Sequence, residues 1–108
     1  MTNREAFNIV KEHLLKQKVR SISTDGQCRY KGMNGRKCAI GVLMKEGSYR
    51  KSLEGKMCYR KSVLAALPEG LDTSLLEALQ DVHDKVLPEH WEDELGHTET
   101  NFFSFGSI

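Results

Sequence analysis

Apolar residues recur at helical spacing near the start of the chain. Four of them fall on one face of a helix: Ala6, Phe7, Val10 and Leu14. Thr2 and Glu5 stand three residues apart, the spacing of a capping box, and mark the start of this helix. We expect the helix to end between residues 17 and 20, with its charged face toward water.

A second apolar stripe predicts the longest later helix. Its members share one helical face: Leu75, Leu76, Leu79, Val82 and Val86. Ser74 and Glu77 repeat the capping-box spacing at the start of this helix. A short helix is expected before it, over residues 62–67, because Pro68 then stops helical hydrogen bonding.

Pro88 predicts the start of a last helix, since proline fits the first helical position. Trp91 and Leu95 should anchor this helix in the core, and Gly96 should end it. Residues 97–108 then form a C-terminal tail that contains three of the four phenylalanines. We expect this tail either to cross the core as an extended segment or to be a poorly ordered or partner-binding end.

Residues 28–44 contain the clearest local signal in the sequence. Asn34-Gly35 favours a two-residue hairpin turn, because both positions of such a turn need positive φ. The predicted register places Lys31 opposite Cys38. The apolar run that follows does not alternate, and it favours a helix that starts near Cys38.

These elements predict an α+β fold: a mainly helical single domain of four to five helices with one short antiparallel β-hairpin after the first helix. The compact domain is expected to span residues 1–96. At 108 residues the chain can bury one modest core, so its size requires no metal or disulfide, and neither a metal nor a cofactor is predicted. The three cysteines form no C-x-x-C pair, and no apolar run approaches the ~18 residues of a membrane span. We therefore expect a cytoplasmic protein with no membrane contact.

Charge is distributed unequally along the chain. Residues 1–61 contain 15 Lys or Arg and 5 Asp or Glu, a net charge of +10, whereas residues 62–108 carry 1 Lys and 10 acids, a net charge of −9. The two halves could simply pack with complementary surfaces. The basic half could instead bind nucleic acid, a nucleotide or an acidic partner, and the acidic helices could bind a basic one.

Five residues around the predicted turn form the candidate partner-binding or anion-binding site: Arg29, Tyr30, Lys31, Arg36 and Lys37. Glycine-rich turns expose N–H groups that can hold an anion. The nucleotide-binding motifs G-x-x-x-x-G-K-[ST] and G-x-G-x-x-G do not occur, and no helix-turn-helix or zinc-finger pattern accompanies the charge.

A thiol enzyme is the alternative hypothesis. Cys38 at a helix N-terminus beside Arg36 and Lys37 could have a lowered pKa, and His83 could act as its base. Asp84 is a weak choice for an orienting acid, because adjacent helical residues do not face each other. The competing interpretation makes Cys38 a small buried apolar residue.

The pattern C-x-Y-[KR]-G-x-x-G-x-K-C-A-I-G-x-L over Cys28–Leu43 resembles a group of small, uncharacterised proteins of tailed phages and prophages. Three later pieces fit the same pattern: Leu53–Gly55, residues 75–84, and Pro88 with Trp91. The resemblance covers roughly residues 3–95. It implies a viral accessory protein in the cytoplasm of a bacterial host and transfers no catalytic residue.

The leading hypothesis is a non-enzymatic phage accessory protein that binds and modulates a host protein, for example a defence component. The alternatives are the thiol enzyme that uses Cys38 with His83, and a basic-face binder of nucleic acid or a nucleotide. The expected contact surface is the turn Arg29–Lys37.

Overall fold

Four α-helices form the fold, as seen in a computed structural model that describes residues 1–103. They are α1 (Asn3–Gln17), α2 (Lys61–Leu64), α3 (Thr73–Lys85) and α4 (Trp91–Phe103). Four 3₁₀ turns lie between them: Met33–Gly35, Gly41–Leu43, Lys51–Leu53 and Pro88–His90. Residues 1–103 contain no β-strand, so the fold is all-α and the predicted α+β class is wrong. Within the same range, no helix combines the length and apolar character needed to cross a membrane.

The predicted hairpin is reduced to its turn. Asn34 and Gly35 have φ of +59° and +73°, and Arg36 N–H donates to the Met33 carbonyl at 3.1 Å. Beyond the turn only an isolated bridge forms, between Lys31 and Lys37, one residue away from the predicted Lys31–Cys38 pairing.

The hairpin strands fail to form because the hydrogen bonds across the turn are few and out of the predicted register. Gly32 N–H, not Met33 N–H, donates to the Arg36 carbonyl, at 2.9 Å. Met33 N–H donates to the Ile22 carbonyl at 3.1 Å rather than across the turn. Cys38 N–H still reaches the Tyr30 carbonyl at 3.3 Å, but the chain then bends into the 3₁₀ turn Gly41–Leu43 instead of the predicted helix. A lone two-stranded hairpin with no apolar face has little stability of its own.

Helix α1 begins as its sequence predicts. Thr2 Oγ1 accepts from Glu5 N–H at 3.1 Å, and Thr2 N–H donates to Glu5 Oε1 at 2.9 Å, which completes the capping box. Lys18 adopts a left-handed conformation with φ of +61° and ends the helix within the predicted range.

The starts and ends of α3 and α4 differ from the predictions. Asp72 caps α3 by accepting from Ser74 N–H at 2.8 Å, so the predicted Ser74 cap is wrong. Helix α4 continues through Gly96 to Phe103, whose ring packs edge-on against Phe7 at 5.5 Å between centroids. Apolar packing at that end of the helix explains why a mid-helix glycine does not end it. The rest of the predicted tail, residues 104–108, lies outside the described residues.

The core lies where α1, α3 and α4 meet. The predicted stripe of α1 is fully buried, and so are Leu75, Leu76 and Leu79 of α3. Trp91 at the start of α4 is also fully buried, and its indole N–H donates to the Val86 carbonyl at 3.0 Å. The helical periodicity of the sequence therefore predicted the helical part of the core, apart from Val86, which is half-buried just beyond α3.

Gly41 lets two backbone segments touch. A Cβ at this position would lie 1.9 Å from the Tyr30 carbonyl oxygen, far inside van der Waals contact. This contact holds the 3₁₀ turn Gly41–Leu43 against the segment that leads into the turn at Asn34-Gly35.

We expect Gly41→Ala to lower the free energy of unfolding by at least about 2 kcal/mol, because backbone must move to admit the methyl group. Urea unfolding followed by circular dichroism measures this change. Gly96→Ala is the matched control, since a Cβ at Gly96 meets nothing within 4 Å. The control should gain about 0.5–1 kcal/mol, because alanine is the better helix former. Equal values for the two variants would contradict the assigned contact.

Candidate functional site

The C-terminal end of α1 fixes one side of the segment Arg29–Lys37, which we call the basic turn. Lys37 N–H donates to Gln17 Oε1 at 3.0 Å. The Lys37 carbonyl accepts from His13 Nε2 at 2.8 Å and from Gln17 Nε2 at 2.9 Å. Three hydrogen bonds to one residue therefore hold the basic turn against the helix.

The connector after α1 fixes the other side of the basic turn. Ser21 Oγ donates to the Arg36 carbonyl at 3.2 Å, and Ile22 accepts from Met33 as described above. The approach at Gly32 is so close that a Cβ there would lie 2.6 Å from Ser21 Oγ and 2.7 Å from Ile22 N. The basic turn is thus held in one conformation by neighbours on both sides.

The five predicted binding residues differ in exposure. Lys31 is exposed, and three basic residues are half-buried: Arg29, Arg36 and Lys37. Tyr30 is only 5% exposed, and its hydroxyl donates to the Lys56 carbonyl. Tyr30 is therefore part of the core, and the tip itself presents Met33, Asn34 and Gly35 to solvent.

Glu54 lies at the base of the basic turn, where three hydrogen-bond donors meet its carboxylate. Tyr30 N–H donates to Oε1 at 2.8 Å, while Lys31 N–H and the Tyr49 hydroxyl donate to Oε2 at 3.1 and 2.7 Å. Burial, together with this bond to Glu54, raises the pKa of Tyr49 to about 12. Tyr49 therefore keeps its proton and donates. We call these donors and the carboxylate the Glu54 site; no local sequence pattern indicated it.

His83 is fully buried, and both its ring nitrogens are occupied. Its Nε2 accepts from Ser21 N–H at 2.9 Å, so the ring proton lies on Nδ1, which donates to Asp84 Oδ1 at 2.7 Å. Arg20 adds bonds to the carbonyls of His83 and Val86, at 3.0 and 2.8 Å, and so caps the end of α3. Contrary to the prediction, the adjacent Asp84 does orient this histidine.

Cys28, His83 and Asp84 form the one group within residues 1–103 whose donor atoms lie close enough for a metal ion, within 4.8 Å of one another. A metal ion on Nδ1 would move the ring proton to Nε2. That proton would then point at Ser21 N–H, and two donors would face each other. A metal-bound histidine normally donates its other N–H to an acceptor. The hydrogen bonding of His83 therefore fits a structural role better than metal ligation.

Among the described residues, Cys38 forms no hydrogen bond to His83 of the kind that joins a nucleophile to its base. Its thiol is fully buried and accepts from Gly41 N–H at 3.3 Å. Burial raises the pKa of the Cys38 thiol to about 12, opposite to the lowering that a nucleophile needs. Cys28 is the thiol beside His83 and Asp84, and burial followed by the Asp84 charge raises its pKa to about 11.

A cleft of about 420 Å³ opens beside the basic turn, between residues 54–59 and α3. Its lining includes Arg29 and Tyr30 of the turn, Glu54, and Asp81 of α3. A larger groove of about 580 Å³ lies between the end of α1 and the start of α4, and its lining includes none of the predicted site residues. The smaller cleft is therefore the one that adjoins the candidate surface.

The opposite charges of the two halves of the chain are scarcely paired. Among residues 1–103, Arg4 is the only one of the 15 Lys and Arg in residues 1–61 with a carboxylate oxygen within 4.0 Å, that of Glu99 at 2.5 Å. Packing of one half on the other therefore neutralises little of the basic charge.

No protein-family model, curated protein or solved structure matches this chain.

Thiol accessibility tests the placement of the cysteines. In the folded protein at pH 8, iodoacetamide should modify exposed Cys28 first and buried Cys38 last. Each should react more slowly than in the unfolded chain, because their raised pKa values reduce the thiolate fraction. Peptide mass spectrometry at several times gives the rates. Rapid labelling of Cys38 in the folded protein would contradict its burial and favour the thiol-enzyme alternative.

Asp84 gives a pH-dependent prediction. Burial alone raises the pKa of Asp84, but bonds from His83 and Gln80 outweigh it and lower the pKa below its ordinary value. The stabilisation is then complete above the ordinary pKa of about 4 and is lost as the pH falls through the lowered pKa. Asp84→Asn should therefore be less stable than the wild type at pH 7, with a smaller difference at pH 3.

Urea unfolding at the two pH values measures this difference. Asp93→Asn, on the exposed face of α4, removes the same charge and serves as the control. A gap between Asp84→Asn and the wild type that does not change with pH would contradict the assigned ionisation.

Proposed function

We propose that this protein is a small phage-type accessory protein that binds and modulates a host protein in the bacterial cytoplasm. The basic turn is its contact surface, and this turn binds an acidic surface of the host protein. The observation that carries the proposal is the unpaired positive charge of the first 61 residues, of which only Arg4 has a carboxylate partner within residues 1–103.

Rigidity of the basic turn supports recognition of a macromolecule. Hydrogen bonds from α1 and from the connector hold the backbone of Arg36 and Lys37 in place before any partner arrives. A surface ordered in advance loses less entropy on binding. Exposed Met33, at 37%, adds an apolar contact at the tip, and methionine adapts readily to a partner surface.

The state of the buried thiol and imidazole supports binding rather than catalysis. A nucleophilic cysteine needs a low pKa and a base with a free nitrogen. Cys38 has a raised pKa, and both nitrogens of His83 are already hydrogen-bonded. The resemblance of residues 28–43 to phage proteins supports the biological setting.

Charge reversal in the basic turn tests the proposal. The double variant Arg36→Glu, Lys37→Glu should lose at least about tenfold in affinity for the host protein, because like charges then face each other. The partner is captured from a bacterial lysate with the wild-type protein, identified by mass spectrometry and purified, and binding is then measured by calorimetry. Matching far-ultraviolet circular dichroism spectra confirm that the variant folds.

The double variant Lys45→Glu, Lys61→Glu is the matched control, since both lysines are exposed and lie outside the basic turn. It changes the net charge equally and should bind within about threefold of the wild type, the remaining effect being long-range steering. Equal losses in both double variants would show that net charge rather than the basic turn drives binding. Capture that disappears after nuclease treatment, with a steep salt dependence, would favour the nucleic-acid alternative.

A further inference from the structure

We propose that the Glu54 site is an anion-binding site that the protein fills with its own carboxylate, and that an acidic group of the partner replaces it. The identity of the partner rests on the proposed function. Anion binding at the Glu54 site itself can be tested without a partner protein. Glu54 then acts as an internal competitor that sets the affinity of the basic turn.

The donors define the chemistry of the site. Two adjacent backbone N–H groups, of Tyr30 and Lys31, and the Tyr49 hydroxyl all point at one carboxylate, at 2.7 to 3.1 Å. Consecutive N–H groups and a hydroxyl directed at one point are the means by which proteins hold carboxylates and phosphates. The structure thus already shows this site holding an anion, supplied by the chain itself.

Two cations lie close to these donors. The ammonium group of Lys31 lies 4.9 Å from the centre of the Tyr49 ring. Arg29 is close enough for its charge to act on the Tyr49 hydroxyl, in the direction of a lower pKa. Neither cation has a carboxylate oxygen within 4.0 Å among residues 1–103. The positive charges of Lys31 and Arg29 are therefore still available to attract a second anion, or an anion more highly charged than Glu54.

Glu54 can leave the site without unfolding the segment that carries it. Leu53, only 5% exposed, anchors the 3₁₀ turn before it, and the Glu54 N–H caps that turn by donating to the Lys51 carbonyl at 3.1 Å. The side chain also borders the cleft of about 420 Å³, which offers it space after a rotamer change. Exchange of one anion for another thus needs side-chain movement only.

The experiment follows the Tyr30 and Lys31 backbone amides by NMR while inorganic phosphate or acetate is added. In Glu54→Ala these two amides should shift saturably, with an apparent Kd at least about tenfold below that of the wild type, because the internal competitor is gone. Acetate stands for a partner carboxylate and phosphate for a phosphorylated partner, and the anion that binds more tightly identifies the group.

Glu46→Ala is the matched control. It removes one exposed negative charge from the same basic half of the chain and should leave the apparent Kd within about twofold of the wild type. Adding Tyr49→Phe to Glu54→Ala should weaken binding again by about tenfold, because a hydrogen bond to a charged group is lost.

Equal anion affinity in Glu54→Ala and Glu46→Ala would overturn the proposal, and so would shifts spread over the whole basic half. If Glu54→Ala does not fold, Glu54→Gln replaces it. The three donors hold a neutral amide less tightly than a carboxylate, so this variant should also bind the added anion more tightly than the wild type does. None of these measurements uses the host protein, so failure of the anion site can be told apart from failure of the proposed function.

Discussion

The long connection between α1 and α2 must satisfy its backbone hydrogen bonds without a strand or a long helix to help it. Buried N–H and C=O groups need partners, and a connection of this length packed into a small domain is unusual. Besides bonds within its own backbone, distant side chains supply partners: His83 of α3 accepts from Ser21 N–H, Gln80 Oε1 of α3 from Ile40 N–H at 3.2 Å, and Glu54 from two amides 23 and 24 residues before it. The bonds to His83 and Gln80 fix the two ends of the segment that contains the basic turn.

This constraint explains which parts of the fold the sequence could predict. Helix α1, its capping box, the stripe of α1 and the stripe of α3 up to Val82 follow from local spacing and were predicted correctly. The Asn34-Gly35 turn is also a local property, and it forms. The β-strands beside it depended on bonds across the hairpin, and the Ile22 carbonyl takes one of them. Local β-propensity could not reveal that the Ile22 carbonyl would compete for the Met33 N–H.

The residues of the candidate site also divide into those that the sequence predicted and those that it did not. Charge counting identified Arg29, Lys31, Arg36 and Lys37, which do reach the surface, although Tyr30 is core. Glu54, Gln17 and His13 were not assigned to the site, because their partners lie 20 to 24 residues away in the sequence. The Cys38 hypothesis assumed a helix N-terminus at that residue, whereas only the 3₁₀ turn Gly41–Leu43 follows it and the thiol is completely buried.

The bond from Ser21 N–H to His83 spans 62 residues of sequence, and that from Ile40 N–H to Gln80 spans 40. Such distant partners give the basic turn little means of forming by itself early in folding, because the loop-closure entropy is lost before the bonds are made. We therefore expect the basic turn, as the proposed binding surface, to be completed late in folding, once α3 is in place. A partner that recognises the turn would therefore distinguish completed molecules from nascent or partly unfolded ones.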